Sequence, residues 1–97
     1  MANKAFAAHL DFEYEPVAAS ETAEILGTTG APDDVLHRVV VVANTGTITI
    51  LDGVVTILVI PAATVVGTSF EFNMKAVTNW NITTPALTEC LCIGRFT

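Results

Sequence analysis

The sequence predicts an all-β protein, an antiparallel β-sandwich or small jelly roll of six to seven strands with an extended N-terminal arm. Its 12 valines, 7 isoleucines and 14 threonines make 33 of the 97 residues β-branched, the type that suits a pleated sheet. Apolar runs recur at roughly 8–12 residues with turn residues between them, as in sandwiches. A chain of this length forms one domain with a modest core.

The charges divide the chain into an acidic N-terminal arm and loop, residues 1–34, and a body, residues 35–97. The first part carries seven acids and one base, whereas the body carries three of each, so the net charge of −6 lies in residues 1–34. An acidic chain without a basic patch is not expected to bind nucleic acid. We expect no membrane span, because the uncharged run 53–70 is interrupted by Pro61 and by hydroxyl residues.

The arm contains one clear strand pattern, at residues 10–15. Leu10, Phe12 and Tyr14 alternate with Asp11, Glu13 and Glu15, which predicts a strand with an apolar and an acidic face, and Pro16 either ends it or marks it as an edge. Residues 20–26 fit a helical turn capped by Ser20 or a short strand over 23–26. Residues 27–34, with two glycines, a proline and paired aspartates, predict a loop.

The body is predicted to consist of strands. They are expected at 35–43, 47–51, 54–60, 65–75, 77–84 and 87–96. Asp52-Gly53 predicts a two-residue hairpin turn between the second and third of these, because both positions tolerate positive φ. Strict alternation over 65–75 places Val66, Phe70, Phe72 and Met74 inside, and the next strand places Trp80 and Ile82 inside.

Two body strands lack a polar face. The valines at 39–42 are continuous, and the strand at 54–60 has Val54, Leu58 and Ile60 on one side and Val55, Ile57 and Val59 on the other. Either the arm covers the second apolar face or another subunit does. We favour another subunit, because a large exposed apolar patch would otherwise promote aggregation.

No motif points to an enzyme, a cofactor or a metal. His9 and His37 lie near no recognisable nucleophile, and Cys90 and Cys92 lack the paired spacing of a zinc site and are expected to be buried thiols. Asp33 and Asp34 with Asp52 could hold calcium, although a turn explains them equally simply. Trp80 could be a carbohydrate platform, but its alternation with Ile82 favours the core.

The body resembles small β-sandwich virion proteins of tailed bacteriophages. The resemblance is carried by the run Val-Leu-His-Arg-Val-Val-Val at 35–41, the segment Asn-Thr-Gly-Thr-Ile-Thr-Ile-Leu-Asp-Gly at 44–53 and the Phe-Glu-Phe strand at 70–72. It implies a capsid decoration (cement) protein, often a homotrimer, made in the host cytoplasm and bound to the major capsid protein on the capsid surface. The alternatives are a tail or fibre accessory protein and a cellular ligand-binding or carbohydrate-binding β-sandwich.

We predict a partner interface on two strands. In the arm its residues are Leu10, Asp11, Phe12, Glu13, Tyr14 and Glu15, with the apolar members packing and the acids facing a basic ridge of the partner. In the body the apolar residues Val55, Ile57 and Val59 would pack against a second copy of the chain.

Overall fold

A computed structural model describes residues 12–97. It contains eight strands and, over these residues, no helix. The strands are β1 (Glu13–Val17), β2 (Glu24–Ile25), β3 (Val35–Asn44), β4 (Ile48–Asp52), β5 (Val55–Ile60), β6 (Ser69–Lys75), β7 (Trp80–Thr83) and β8 (Thr88–Arg95). The prediction of an all-β sandwich is confirmed, with eight strands in place of six to seven. The strand alternative for residues 20–26 is correct, although β2 is only two residues long.

The strands form two four-stranded antiparallel sheets. Sheet A has the order β1-β8-β3-β6, and sheet B has the order β2-β7-β4-β5. Strands pair from the outside of the sequence inwards, β1 with β8, β2 with β7, β3 with β6 and β4 with β5. This nested order, one long hairpin folded into two sheets, is that of a jelly roll. The acidic segment 1–34 therefore supplies an edge strand to each sheet.

The core lies between the sheets and is formed by alternate residues of the central strands. Its fully buried side chains include Leu36, Val39, Val41, Ile48, Ile50, Ile60, Trp80 and Ile82. Trp80 and Ile82 are inside as predicted. The thiols of Cys90 and Cys92 are also buried and unbridged, as predicted.

The predicted alternation over 65–75 is wrong at both ends. Val66 lies in the loop before β6 and is 61% exposed, and Met74 is 42% exposed. Phe70 and Phe72 do pack against the core. The register of β6 against β3 shifts between Leu36 and Arg38, and Asn73 has a positive φ of 51°. A bulge of this kind turns the following side chain away from the face that strict alternation predicts.

The two body strands predicted to lack a polar face carry exposed apolar side chains in the single chain. Val42 is 47% exposed, and β5 is an edge strand on which Val55 and Val59 are 59% and 47% exposed. The hairpin turn lies at Gly53 and Val54, one residue later than predicted, because Asp52 pairs with Val55 at the end of β4, and Val54 is almost fully exposed. The second face of each strand is thus apolar and open to solvent in the single chain.

Candidate interaction surfaces

The buried carboxylates serve the fold rather than a ligand. Asp34 accepts hydrogen bonds from the Ala31 amide at 3.1 Å and from the amide and hydroxyl of Thr97 at 3.0 and 2.6 Å. These bonds tie the loop before β3 to the end of β8. Among the described residues, no group of three His, Cys, Asp or Glu side chains is arranged to hold a metal ion.

Asp52, predicted to lie in the hairpin turn, is the last residue of β4 and organises the loop between β6 and β7. Its carboxylate accepts the backbone amides of Val77, Thr78 and Asn79 at 2.8, 2.9 and 3.2 Å. Burial raises the pKa of the Asp52 carboxyl, but the three amide donors together lower it by more than burial raises it. The pKa therefore lies below its ordinary value. Its oxygens are occupied by the chain itself, which favours the turn interpretation of Asp52 over the calcium one.

The buried thiols lie side by side on the inner face of β8. The pKa of the Cys92 thiol lies well above its ordinary value. The larger cause is a side-chain hydrogen bond with Cys90, and the second is burial. A thiol in this state is protonated and a poor nucleophile or metal ligand. Because both side chains are buried, the two cysteines are small apolar residues of the core.

Trp80 is a core residue and not a binding platform. Its side chain is 1% exposed, and its indole Nε1–H donates to the Asp34 carbonyl at 3.0 Å. Phe72 packs against it edge-on, with ring centroids 6.4 Å apart. The hypothesis of carbohydrate stacking on this residue is wrong, because the indole ring is enclosed by the sandwich.

In the arm, the described side chains do not all face the way that the predicted interface requires. Leu10 and Asp11 lie outside the described residues, and Phe12 packs on His37 with ring centroids 5.0 Å apart. Tyr14, predicted to pack, is 70% exposed. The acids on either side of it lie on the opposite face of β1, where the exposed Glu13 accepts the Phe96 amide at 3.0 Å and the half-buried Glu15 accepts the Gly27 amide at 2.7 Å.

The physical reason for this difference is the phase of β1. Val17 is buried in the core, and residues two apart in a strand share a face, so Glu15 and Glu13 must lie on the same face as Val17. Pro16 marks β1 as the edge strand of sheet A, where the missing amide is harmless. The acids of this strand are thus used to bind loop amides, and its tyrosine faces solvent.

Tyr14 belongs to a larger apolar patch, which we call the A face. It comprises the outward side chains of Tyr14, Pro16, Val40, Leu91 and Ile93. In the register of sheet A, Leu91 lies between Pro16 and Val40, and Ile93 lies beside Tyr14, so the five side chains form two adjacent rows across β1, β8 and β3. Leu91, Ile93 and Val40 are only half-buried in the single chain.

Charges of both signs border the A face. Arg38 is next to Ile93 in the register and forms an ion pair of 3.9 Å with Glu71 on β6. Glu89 and Arg95, both exposed, lie at the two ends of β8. An apolar centre with a polar rim is the usual composition of a protein-binding surface.

The body residues of the predicted interface do not share one face. Val59 pairs with Thr49 on the outer face of sheet B, but Ile57 packs against the core beside Leu58. The register of β5 against β4 shifts between Ile50 and Leu51, and this bulge breaks the alternation that grouped Val55, Ile57 and Val59. All three nevertheless lie on one edge strand.

Sequence reasoning missed the contribution of β8 to the A face. The signal was present, because Leu91 and Ile93 alternate with the two cysteines, but both faces of that strand are apolar and only pairing with β1 and β3 shows which face is outside. Over the described residues the structure shows no ligand cavity and no helix long and apolar enough to cross a membrane. No family model, curated protein or solved structure matches the chain.

Proposed function

We propose that this protein is a structural subunit of a bacteriophage virion, a decoration protein that binds the assembled capsid shell through the A face and stabilises it. The observation that carries the proposal is the A face itself, an apolar patch with a rim of mixed charge on a rigid sheet. The phage assignment comes from the resemblance of the body strands to virion proteins. The partner on the shell is the major capsid protein.

The physical basis is linkage. A subunit that binds only the assembled shell stabilises it by RT ln(1 + [L]/Kd), about 2.7 kcal/mol for each site at a hundredfold excess over Kd. A sheet suits this role because β8 and β3, which carry Leu91, Ile93 and Val40, are paired on both sides, so little backbone entropy is lost on binding. Tyr14 supplies a large amphipathic contact on the β1 side of this surface.

The test is thermal unfolding of capsids purified without the protein, measured before and after adding it. We expect co-sedimentation with the capsids and a rise in their unfolding temperature. Tyr14→Asp should abolish both effects without unfolding the protein, because the side chain is 70% exposed. Val54→Asp is the matched control, an equal change of charge at an exposed residue away from the A face.

Three results would count against the proposal. The first is the absence of co-sedimentation, and the second is an equal loss of binding in the two variants. The third is labelling of the tail or fibres, and not the head, when the protein is located on particles by antibody microscopy.

A further inference from the structure

Each sheet of the jelly roll has two edges, and three of the four edges carry features that prevent pairing with another chain. β1 contains Pro16, and β2 is only two residues long. β6 carries Glu71 and Lys75 and an irregular register against β3. Short length, proline, charge and bulges are the known means by which natural sheets protect their edges.

β5 is the exception. It reads Val-Thr-Ile-Leu-Val-Ile, six residues without a charge or a proline, and among the described residues it pairs only with β4. Its exposed positions are themselves strand-forming, with Val55, Thr56 and Val59 all open to solvent. Apart from a bulge at Ile57, the strand presents a row of backbone donors and acceptors, with neither the proline, the short length nor the charge that protects the other three edges.

The distribution of charge indicates which chain can pair with the free edge of β5. The net charge of −6 comes from residues 1–34, whose described strands β1 and β2 are the edges of their sheets. In sheet B, β2 and β5 lie at opposite ends. The acids around β2 repel one another strongly enough that, after burial, Glu21 and Glu15 raise the pKa of Glu24.

Two copies of an acidic chain can therefore approach with least repulsion when their β5 edges meet and their β2 edges point away from each other. A charged partner, in contrast, would find no opposite charge on β5. A neutral antiparallel strand is also complementary to itself, because a two-fold axis perpendicular to the sheet matches each donor with an acceptor.

We propose that β5 pairs antiparallel with β5 of a second copy of the chain, joining two copies of sheet B into one continuous eight-stranded sheet. This goes beyond binding to a shell and does not depend on it. The pairing closes at two copies, so it replaces the trimer that the resemblance to decoration proteins implies. One six-residue strand from each copy is a small contact compared with the ~1,200–2,000 Å² of stable interfaces, so we expect a Kd of micromolar order.

The test is sedimentation equilibrium of the full chain at concentrations below and above the expected Kd. We expect a reversible monomer–dimer equilibrium. Thr56→Lys places a charge at an exposed position of β5 and should weaken dimerisation roughly tenfold or more, because a charge on an edge strand opposes pairing with a further strand. Ser69→Lys is the matched control, the same gain of charge at an exposed hydroxyl residue of the other sheet's edge strand, β6.

A mixture of Thr56→Lys and Thr56→Glu gives a second, independent readout. If both copies contribute the same strand, opposite charges at this position should restore a heterodimer while each variant alone stays monomeric. Urea unfolding of each variant verifies that the monomer is folded. The proposal would be overturned if the wild-type protein were a monomer at all concentrations or a trimer. It would also be overturned if Thr56→Lys dimerised as strongly as wild type, if Ser69→Lys weakened dimerisation equally, or if the mixture formed no heterodimer. Each of these outcomes is independent of capsid binding.

Discussion

The bonds of Asp52 allow a direct test of how the loop between β6 and β7 is held. Asp52→Asn keeps the shape of the side chain but replaces one acceptor oxygen with an amide that cannot accept a hydrogen bond. Whichever oxygen is lost, at least one of the amides of Val77, Thr78 and Asn79 loses its partner, and the remaining bonds lose their charge. We expect a loss of about 2–3 kcal/mol in the free energy of unfolding, since bonds to charged groups contribute about 1.5–3 kcal/mol.

The assay is urea unfolding at a series of pH values, supported by a melting temperature that should fall by roughly 10–20 °C at neutral pH. The pKa of Asp52 is lowered on folding from its ordinary value of 3.8. Its contribution to stability is therefore fully present above that value and is lost as the pH falls through the lower pKa of the folded state. Wild type and Asp52→Asn should consequently converge in acid.

Asp33→Asn is the control, because it removes the same charge at an exposed turn residue whose positive φ of 71° asparagine also tolerates. We expect it to change stability by less than about 0.5 kcal/mol. Equal stability of Asp52→Asn and wild type at neutral pH would refute the role assigned to the carboxylate. The role would also be refuted if the difference in the free energy of unfolding between wild type and Asp52→Asn stayed constant down to the pH at which the carboxyl is protonated.

Three further predictions concern the core. Trp80→Phe should cost about 2–4 kcal/mol, measured by urea unfolding, because it removes a buried hydrogen bond and leaves a cavity, and the wild-type indole should be quenched only weakly by acrylamide. Cys90 and Cys92 should both resist a thiol reagent in the native protein and both react in denaturant; rapid native labelling would contradict their burial. Gly94→Ala should destabilise by more than about 3 kcal/mol, because its Cβ would lie 2.0 Å from the Val35 carbonyl oxygen, and a soluble variant with a wild-type unfolding midpoint would disprove this.

The strands of the body could be predicted because their signals are local. The Asp52-Gly53 signal and the apolar runs around it predict the β4–β5 hairpin, although its turn residues prove to be Gly53 and Val54, and the period of two places Trp80 and Ile82 inside. Of the two alternatives for Pro16, the edge strand is correct, because β1 continues through it to Val17 at the edge of sheet A. Each of these inferences needs only neighbouring residues, which is why the fold class was correct.

The faces of the strands were predicted less well, because register depends on residues distant in sequence. Bulges at β3, β5 and β6 each change the phase of the side chains, and no residue pattern marks Ile57 as the extra residue of β5. In β1, the acids and apolar residues alternate as expected, but the buried end of the strand is Val17, outside the predicted segment. The candidate surfaces follow from these phases and so required the structure.

The nested pairing also explains why an acidic segment can be part of a stable fold. β1 pairs with β8, and the loop before β3 is tied to the end of β8 through Asp34 and Thr97, so the first and last described strands depend on each other. The carboxylates of Glu13 and Glu15 are satisfied by loop amides, which offsets part of their mutual repulsion. Among the described residues, Glu13, Glu15 and Glu24 lie on the edge strands β1 and β2, while the β5 edge carries no charge. A chain with the same composition but a basic residue in β5 would keep this fold and lose that asymmetry.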